Sequence, residues 1–312
     1  MSPPLTALHG YSCAELLENL ERSVVLAERL GRPRVVVASL IGLFCGRHVQ
    51  GRIEQSYAIG LRALEITADD ADLAAQAHFA VAGAALALGR PGEAIEHFAA
   101  CYTTVTPGYS TILGTRIEIH ARAWASHAHW LAGDRDGARL LATEALNRSA
   151  AAEHPYTRAV ALAYVALLRQ LSADAEGLGE VVDELLGLCR RYDIAYYGQW
   201  AEIFAGWSTG GASGARRIRT AMLALEHQDA VVRMTYWHSL LADVLVRDHQ
   251  PVAALAEVDA ALEAVRSRQE NWWAGHLREQ RERLARTAER SANARHPIVG
   301  TINPPRPPGS TP

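Results

Sequence analysis

Residues 86–102, LALGRPGEAIEHFAACY, contain the end of one apolar helix, a tight turn and the start of an amphipathic helix. Gly89 can adopt the left-handed conformation that ends a helix. Pro91 suits the first turn of the next helix, where an amide proton has no helical partner. Ala94 and Phe98 then recur at helical spacing on one face, and the small Ala94 allows two antiparallel helices to approach closely. The stretch therefore predicts two packed helices joined by a short turn.

The same pattern recurs at intervals of 38 to 44 residues. The corresponding turn positions are Gly51, Gly89, Gly133, Ser172, Gly210 and His249. The residue five positions after each turn is small: Ser56, Ala94, Ala138, Gly177, Ala215 and Ala254. The residue 13 positions after each turn is large and apolar or aromatic: Leu64, Tyr102, Leu146, Leu185, Leu223 and Leu262.

A repeat of about forty residues built from two helices is typical of an α-solenoid. We therefore predict an all-α fold, a right-handed solenoid of about seven helix pairs like tetratricopeptide (TPR) repeats. A last helix over residues 272–287 is expected to cap the stack. The domain boundaries we expect are a flexible N-terminus at 1–10, the repeat domain at 11–290 and a disordered, proline-rich tail at 291–312.

Local signals refine these boundaries. Ser12 and Glu15 have the spacing of a capping box that opens a helix running to about Leu30. An irregular stretch is expected at 103–111, followed by a helix over 112–132 that contains Arg116, His120 and Trp124.

The composition is ordinary for a soluble globular protein, with 49% apolar and 21% charged residues and a net charge of −3. This charge gives no reason to expect direct nucleic-acid or membrane binding. No apolar run approaches the roughly 18 residues of a membrane span, and no signal peptide is recognised. We expect a cytoplasmic protein whose cysteines are small buried residues in a reducing compartment: Cys13, Cys45, Cys101 and Cys189.

All 31 basic residues are arginine. A Walker A loop, a protein kinase and a pyridoxal enzyme each require a lysine, so these classes are excluded in their usual form. The glycine-rich turn at 210–214 follows a predicted helix rather than a strand, which favours a plain helix–helix turn over a phosphate loop.

No arrangement of side chains indicates catalysis. His120, His127 and His129 share one predicted helix without the i,i+4 spacing and acidic partner of a metal site, so structural or groove-lining roles are favoured. The acidic pairs lie on turns or polar helix faces, where charges are usually solvated. We therefore expect no enzyme activity, no cofactor and no metal.

Aromatic residues gather on the first helices of consecutive pairs, which line the concave face of a solenoid. Most are expected to be core residues, since aromatics dominate helix packing. The alternative is a groove wall that binds a peptide or a small ligand. The candidate binding residues are then Arg116, His120, Tyr197, Trp200, Arg233, Tyr236 and Trp237.

Several motifs resemble the TPR-like C-terminal region of bacterial signal-transduction (STAND-type) ATPases, which is linked to class III adenylate/guanylate cyclase or LuxR-type regulators. They are Gly10-Tyr11-Ser12 with Glu15, residues 122–133, Gly206-Trp207, Tyr236 with residues 240–242, and Asn271-Trp272-Trp273 followed by Leu277-Arg278. The sequence departs from the family pattern at Ala274 and His276, where acidic residues are usual.

The resemblance implies a sensor or protein-interaction arm without the ATPase, cyclase or DNA-binding domains. Its partner would be an ATPase, a cyclase or a LuxR-type regulator. The alternative function is a small-molecule sensor whose aromatic groove closes on an effector. The last helix is rich in arginine, but nearby glutamates balance it, so a solvated cap is favoured over a nucleic-acid surface.

Overall fold

The computed structural model describes residues 12–67, 70–103 and 113–295, and within them the chain is helical and contains no strand. The prediction of an all-α fold is confirmed. Across these residues, no helix combines the length and the apolarity that a membrane crossing requires. The helices are α1 Ala14–Arg29, α2 Pro33–Val49, α3 Ile53–Ile66, α4 Ala71–Ala87, α5 Pro91–Thr103, α6 Ile117–Leu131, α7 Arg135–Ala151, α8 Pro155–Leu171, α9 Ala175–Tyr192, α10 Ala195–Thr209, α11 Gly211–His227, α12 Met234–Arg247, α13 Pro251–Arg268 and α14 Ala274–Arg295.

The helices pack in chain order, each against the next. The even-numbered helices also contact one another two apart along the chain, from α2 through α4, α6, α8, α10 and α12 to α14. They therefore form a continuous inner layer. Several of these helices are apolar on most faces, and most residues of α4 and α8 are buried. This is expected for a helix that neighbours cover on several sides.

The repeated turns have the expected backbone at five of six positions. Gly51, Gly89, Gly133, Gly210 and His249 all have positive φ angles. At the remaining turn the left-handed residue is Ala173, at φ 56°, rather than Ser172. The small residues that follow the turns are buried at all six positions.

One of the six turns departs from the predicted columns. After the turn at Ser172 and Ala173 both columns hold, since Gly177 and Leu185 are buried. In α11 the helix begins at Gly211 directly after Gly210, without the longer connection of the other turns. As a result Met222 is buried, and the predicted core residue Leu223 is 53% exposed.

Three local predictions were wrong. The capping box does not form: Cys13 is the N-cap residue of α1 without a side-chain bond, and the Ser12 hydroxyl donates instead to the Asp229 carbonyl at 3.0 Å. Helix α6 begins at Ile117 rather than at 112, since Gly114 has a φ of 67° that interrupts a helix. The last helix continues to Arg295, through alanine- and arginine-rich residues with high helix propensity.

The cysteine prediction holds in part. All four thiols are free, and Cys101 and Cys189 are buried, whereas Cys13 and Cys45 are partly exposed. The predicted N-terminal segment at 1–10, most of the irregular stretch at 103–111 and the tail beyond 295 lie outside the described residues.

Loops from the C-terminal half of the chain close against helices of the N-terminal half. The Val232 amide donates to the Val49 carbonyl at the end of α2, at 3.0 Å. The Asn271 amide donates to the Ala87 carbonyl at the end of α4, at 2.8 Å. Both carbonyls belong to last turns of helices, which have no partner inside the helix. We call this contact between the two halves the seam.

The glycines of two repeated turns also serve the seam. A Cβ atom on Gly89 would lie 3.2 Å from Cβ of Asn271, and one on Gly51 would lie 3.0 Å from Cδ of Arg268. Gly89 therefore has two reasons to be glycine, its φ of 82° and the close approach of the second loop. The seam turns the inner layer into a wall around an interior space.

Candidate functional site

A chain of aromatic rings lies inside this wall, one from each of four inner helices. Trp124 of α6 and Tyr164 of α8 have ring centroids 5.4 Å apart. Tyr164 and Trp200 of α10 are also 5.4 Å apart, and Trp200 and Trp237 of α12 are 5.3 Å apart. The spacings and the tilted or edge-on angles are those of favourable aromatic pairs.

A buried arginine lies on these rings. The Arg233 guanidinium lies 5.2 Å from the ring centroid of Trp124, 5.1 Å from that of Tyr164 and 4.7 Å from that of Trp200. Its Nη2 donates to the Tyr164 hydroxyl at 3.4 Å. Among the described residues, this guanidinium forms no ion pair within 4.0 Å, although only 6% of the residue is exposed. A cation is thus held by aromatic faces instead of a carboxylate.

Glu270 fixes the backbone that presents this arginine. Arg233 is the N-cap residue of α12 and has the left-handed φ of 68°, a strained conformation for a residue other than glycine. Oε1 of Glu270 accepts from the Arg233 amide at 2.7 Å and from Nε1 of Trp272 at 2.9 Å. Burial raises the pKa of Glu270, against the lowering effect of these bonds and of the Arg233 charge.

Two cavities flank the guanidinium. One of about 40 Å³ is lined by Cys45, His48, His120, Tyr197 and Arg233, among others. The other, of about 10 Å³, is lined by His48, His127, Arg233 and Glu270. On the scale where one water needs about 10–15 Å³, the larger cavity holds about three waters or a ligand of three to four non-hydrogen atoms.

The two histidines of the larger cavity are neutral. Burial, and to a lesser degree the charge of Arg233, lowers the pKa of His48 and of His120 to about 3. Nδ1 of His48 lies 3.4 Å from Oγ of Ser56, and Nδ1 of His120 lies 3.4 Å from Oγ1 of Thr115. The Nε2 atoms of both histidines are buried and have no hydrogen-bond partner in the described part of the chain.

The structure brings together four of the seven predicted binding residues. His120, Tyr197 and Arg233 line the larger cavity, and Trp200 lies against the guanidinium. The other three do not line this cavity. Arg116 is the N-cap residue of α6 and pairs with Glu118 at 2.8 Å; Tyr236 donates to Gln170; Trp237 packs on Phe204 at 5.4 Å.

The other two histidines of α6 have partners of their own. Nε2 of His127 lies 2.7 Å from the Tyr164 carbonyl, and Nδ1 of His129 lies 2.7 Å from the Asp134 carboxylate. Within the described residues, no three histidine, cysteine or acidic side chains are grouped as a metal site requires.

His48 and Glu270 were missed as functional candidates. His48 lies one turn after Phe44 on the inner face of α2, so an inward position could have been inferred from the apolar helix around it. Glu270 gave no signal, because it follows a helix end in a polar run. No protein-family model matches the sequence, and a comparison with curated proteins found no match. The resemblance to regulatory ATPases stays a prediction that rests on its motifs.

Proposed function

We propose that this chain is a non-enzymatic sensor and protein-interaction module of bacterial signal transduction or transcriptional regulation. In this proposal the helices form a right-handed TPR-like solenoid of about seven pairs, capped by α14. The order of helix packing and the continuous inner layer support it. The protein partner would be an ATPase, a cyclase or a LuxR-type regulator.

The observation that carries the proposal is the arginine-lined cavity behind the seam. Because aromatic side chains fill the inner layer, a peptide has little room there, and a small effector is the better occupant. This favours the alternative in which the module responds to a small molecule. A protein partner would then bind the outer surface, and effector binding inside would change how that surface is held.

The chemistry of the cavity favours binding over catalysis. Burial raises the pKa of the Cys45 thiol to about 12, so the only cysteine among the lining residues is protonated and a poor nucleophile at pH 7. The histidines titrate near pH 3, far below the range in which a general base is effective.

The test is to tag the protein, express it in its own host and identify what co-purifies, with Arg233→Lys in parallel. Recovery of an ATPase, a cyclase or a LuxR-type regulator supports an interaction arm. Loss of that partner with Arg233→Lys, at unchanged folding, links the partner to the cavity. Recovery of none of these, together with no ligand that raises the melting temperature, overturns the proposal.

A further inference from the structure

The Arg233 guanidinium is a buried charge that lines the larger cavity, and most of its N–H donors have no hydrogen-bond acceptor among the described residues. Its one hydrogen bond to a side chain, at 3.4 Å to Tyr164, is long. Three aromatic faces hold the cation but accept no strong hydrogen bond from its edge. A planar guanidinium fork matches the two oxygens of a planar oxyanion.

The histidines add a defined pattern of donors and acceptors to this fork. The Ser56 hydroxyl already donates to the Ile53 carbonyl at 2.8 Å, so it can only accept from Nδ1–H of His48. Nε2 of His48 is then an acceptor. The Thr115 hydroxyl can donate to Nδ1 of His120, which leaves Nε2–H of His120 as a second donor beside Arg233.

We infer that the larger cavity is a binding site for a small planar oxyanion, held by Arg233 and His120 and completed by His48. This inference rests on the proposed function, since it names the class of effector that the module would sense. The cavity volume limits the anion to about three or four non-hydrogen atoms, the size of formate, nitrate or hydrogencarbonate. An anion that carries its own hydroxyl can also donate a hydrogen bond to Nε2 of His48.

Hydrogencarbonate and nitrate provide a matched pair of probes, because both are planar monoanions of the same size and only the first has a hydroxyl. Melting temperature and tryptophan fluorescence are measured at constant ionic strength, with sodium gluconate as the balancing salt because gluconate is too large for the cavity. We expect a saturable rise of about 2–4 °C with each small anion at tens of millimolar, with the tighter binding for hydrogencarbonate. Phosphate and sulfate, which are tetrahedral and larger, should give no saturable effect.

Three variants locate the site. Arg233→Lys keeps the positive charge but removes the guanidinium fork, and it should weaken the binding of each small anion at least about tenfold. His48→Leu should remove the preference for hydrogencarbonate over nitrate and leave nitrate binding in place. Arg148→Gln removes an arginine from an exposed position of α7 and should behave as the wild type.

No saturable response of the wild type to any small anion overturns the inference, as does an unchanged response in Arg233→Lys. If Arg233→Lys fails to fold, the loss of the hydrogencarbonate preference in His48→Leu decides the question, and an unchanged preference counts against the site. The proposed function is tested separately: a regulator that co-purifies while no anion binds would leave the interaction arm standing without this ligand.

Discussion

Gly83→Ala tests whether the wall of the cavity is packed as tightly as the structure shows. Gly83 lies on α4, where an added Cβ would be 2.4 Å from Cη2 and 2.7 Å from Cζ3 of Trp124. The indole cannot turn away easily, since Phe79 and Phe98 pack on it with centroids at 5.4 and 5.6 Å. Overpacking of this kind costs about 1–3 kcal/mol, while alanine gains about 1 kcal/mol over glycine in a helix.

Because the neighbours of Trp124 are rigid rings, the cost should lie in the upper part of that range. We expect a net loss of about 1–2 kcal/mol in the free energy of unfolding. For a chain of this length it corresponds to a fall of about 2–3 °C in the melting temperature. Differential scanning calorimetry and urea unfolding give the two quantities independently.

The control is Gly187→Ala on the exposed side of α9, where a Cβ would meet no atom within 4 Å. This variant gains the helix propensity without the clash and should melt about 1 °C higher than the wild type. A Gly83→Ala protein as stable as Gly187→Ala would refute the packing of Trp124 against α4, and with it the shape of the cavity.

Three further predictions concern packing and pH. Gly214→Ala should lower the free energy of unfolding by about 1–3 kcal/mol, because the added Cβ would lie 2.3 Å from the carbonyl oxygen of Gly206. A backbone atom cannot move aside as the end of a side chain can. A melting temperature equal to that of the wild type would contradict this prediction. Ala138→Leu, at a fully buried position of α7, should cost a similar amount by urea unfolding, and an unchanged midpoint would remove Ala138 from the close-contact column. Urea unfolding between pH 7 and pH 5 should show the free energy of unfolding falling as the pH falls, by about 2 kcal/mol per buried histidine at pH 5. In the unfolded chain these histidines bind a proton near pH 6.5, whereas in the folded chain they stay neutral down to about pH 3. Replacing any one of His48, His120 and His127 with glutamine should reduce this slope, and an unchanged slope would contradict the prediction.

The repeated turns could be predicted because each is a local event. Gly89 ends a helix by its own backbone freedom, and Ala94 follows at a fixed distance along the next helix. The register failed where a turn departs from the common length. Gly210 alone joins α10 to α11, so the buried position in α11 is Met222 instead of the predicted Leu223. A single deletion in a turn rotates the following helix by about 100°, and the apolar pattern of an alanine-rich helix is too weak to reveal it.

The cavity could be predicted only in part, because it depends on contacts between residues far apart in the chain. His120, Tyr197 and Trp200 are inward by helical periodicity alone. Arg233 lies in a loop before α12, and its place in the interior depends on Glu270 and on the amide of Val232 bonded to Val49. Ser12 shows the same limit: its local pattern favours a cap, but its hydroxyl bonds to the second half of the molecule.

The energetics of the interior favour a site over a structural core. A buried charge is costly to desolvate, and apolar side chains of similar volume often stabilise a core as well or better. Here Arg233 has a strained backbone conformation, and one carboxylate oxygen of Glu270 accepts from its amide. Two neutral histidines, His48 and His120, line the same cavity. Their Nε2 atoms have no hydrogen-bond partner within the described residues. Packing alone requires none of these features. A small anion would satisfy the guanidinium and Nε2–H of His120 at once, and it would contact groups from α2, α6 and the loop before α12. Since that loop also forms the seam, an anion bound there would add a tie between the two halves of the chain, and occupancy of the cavity would strengthen closure of the helical stack.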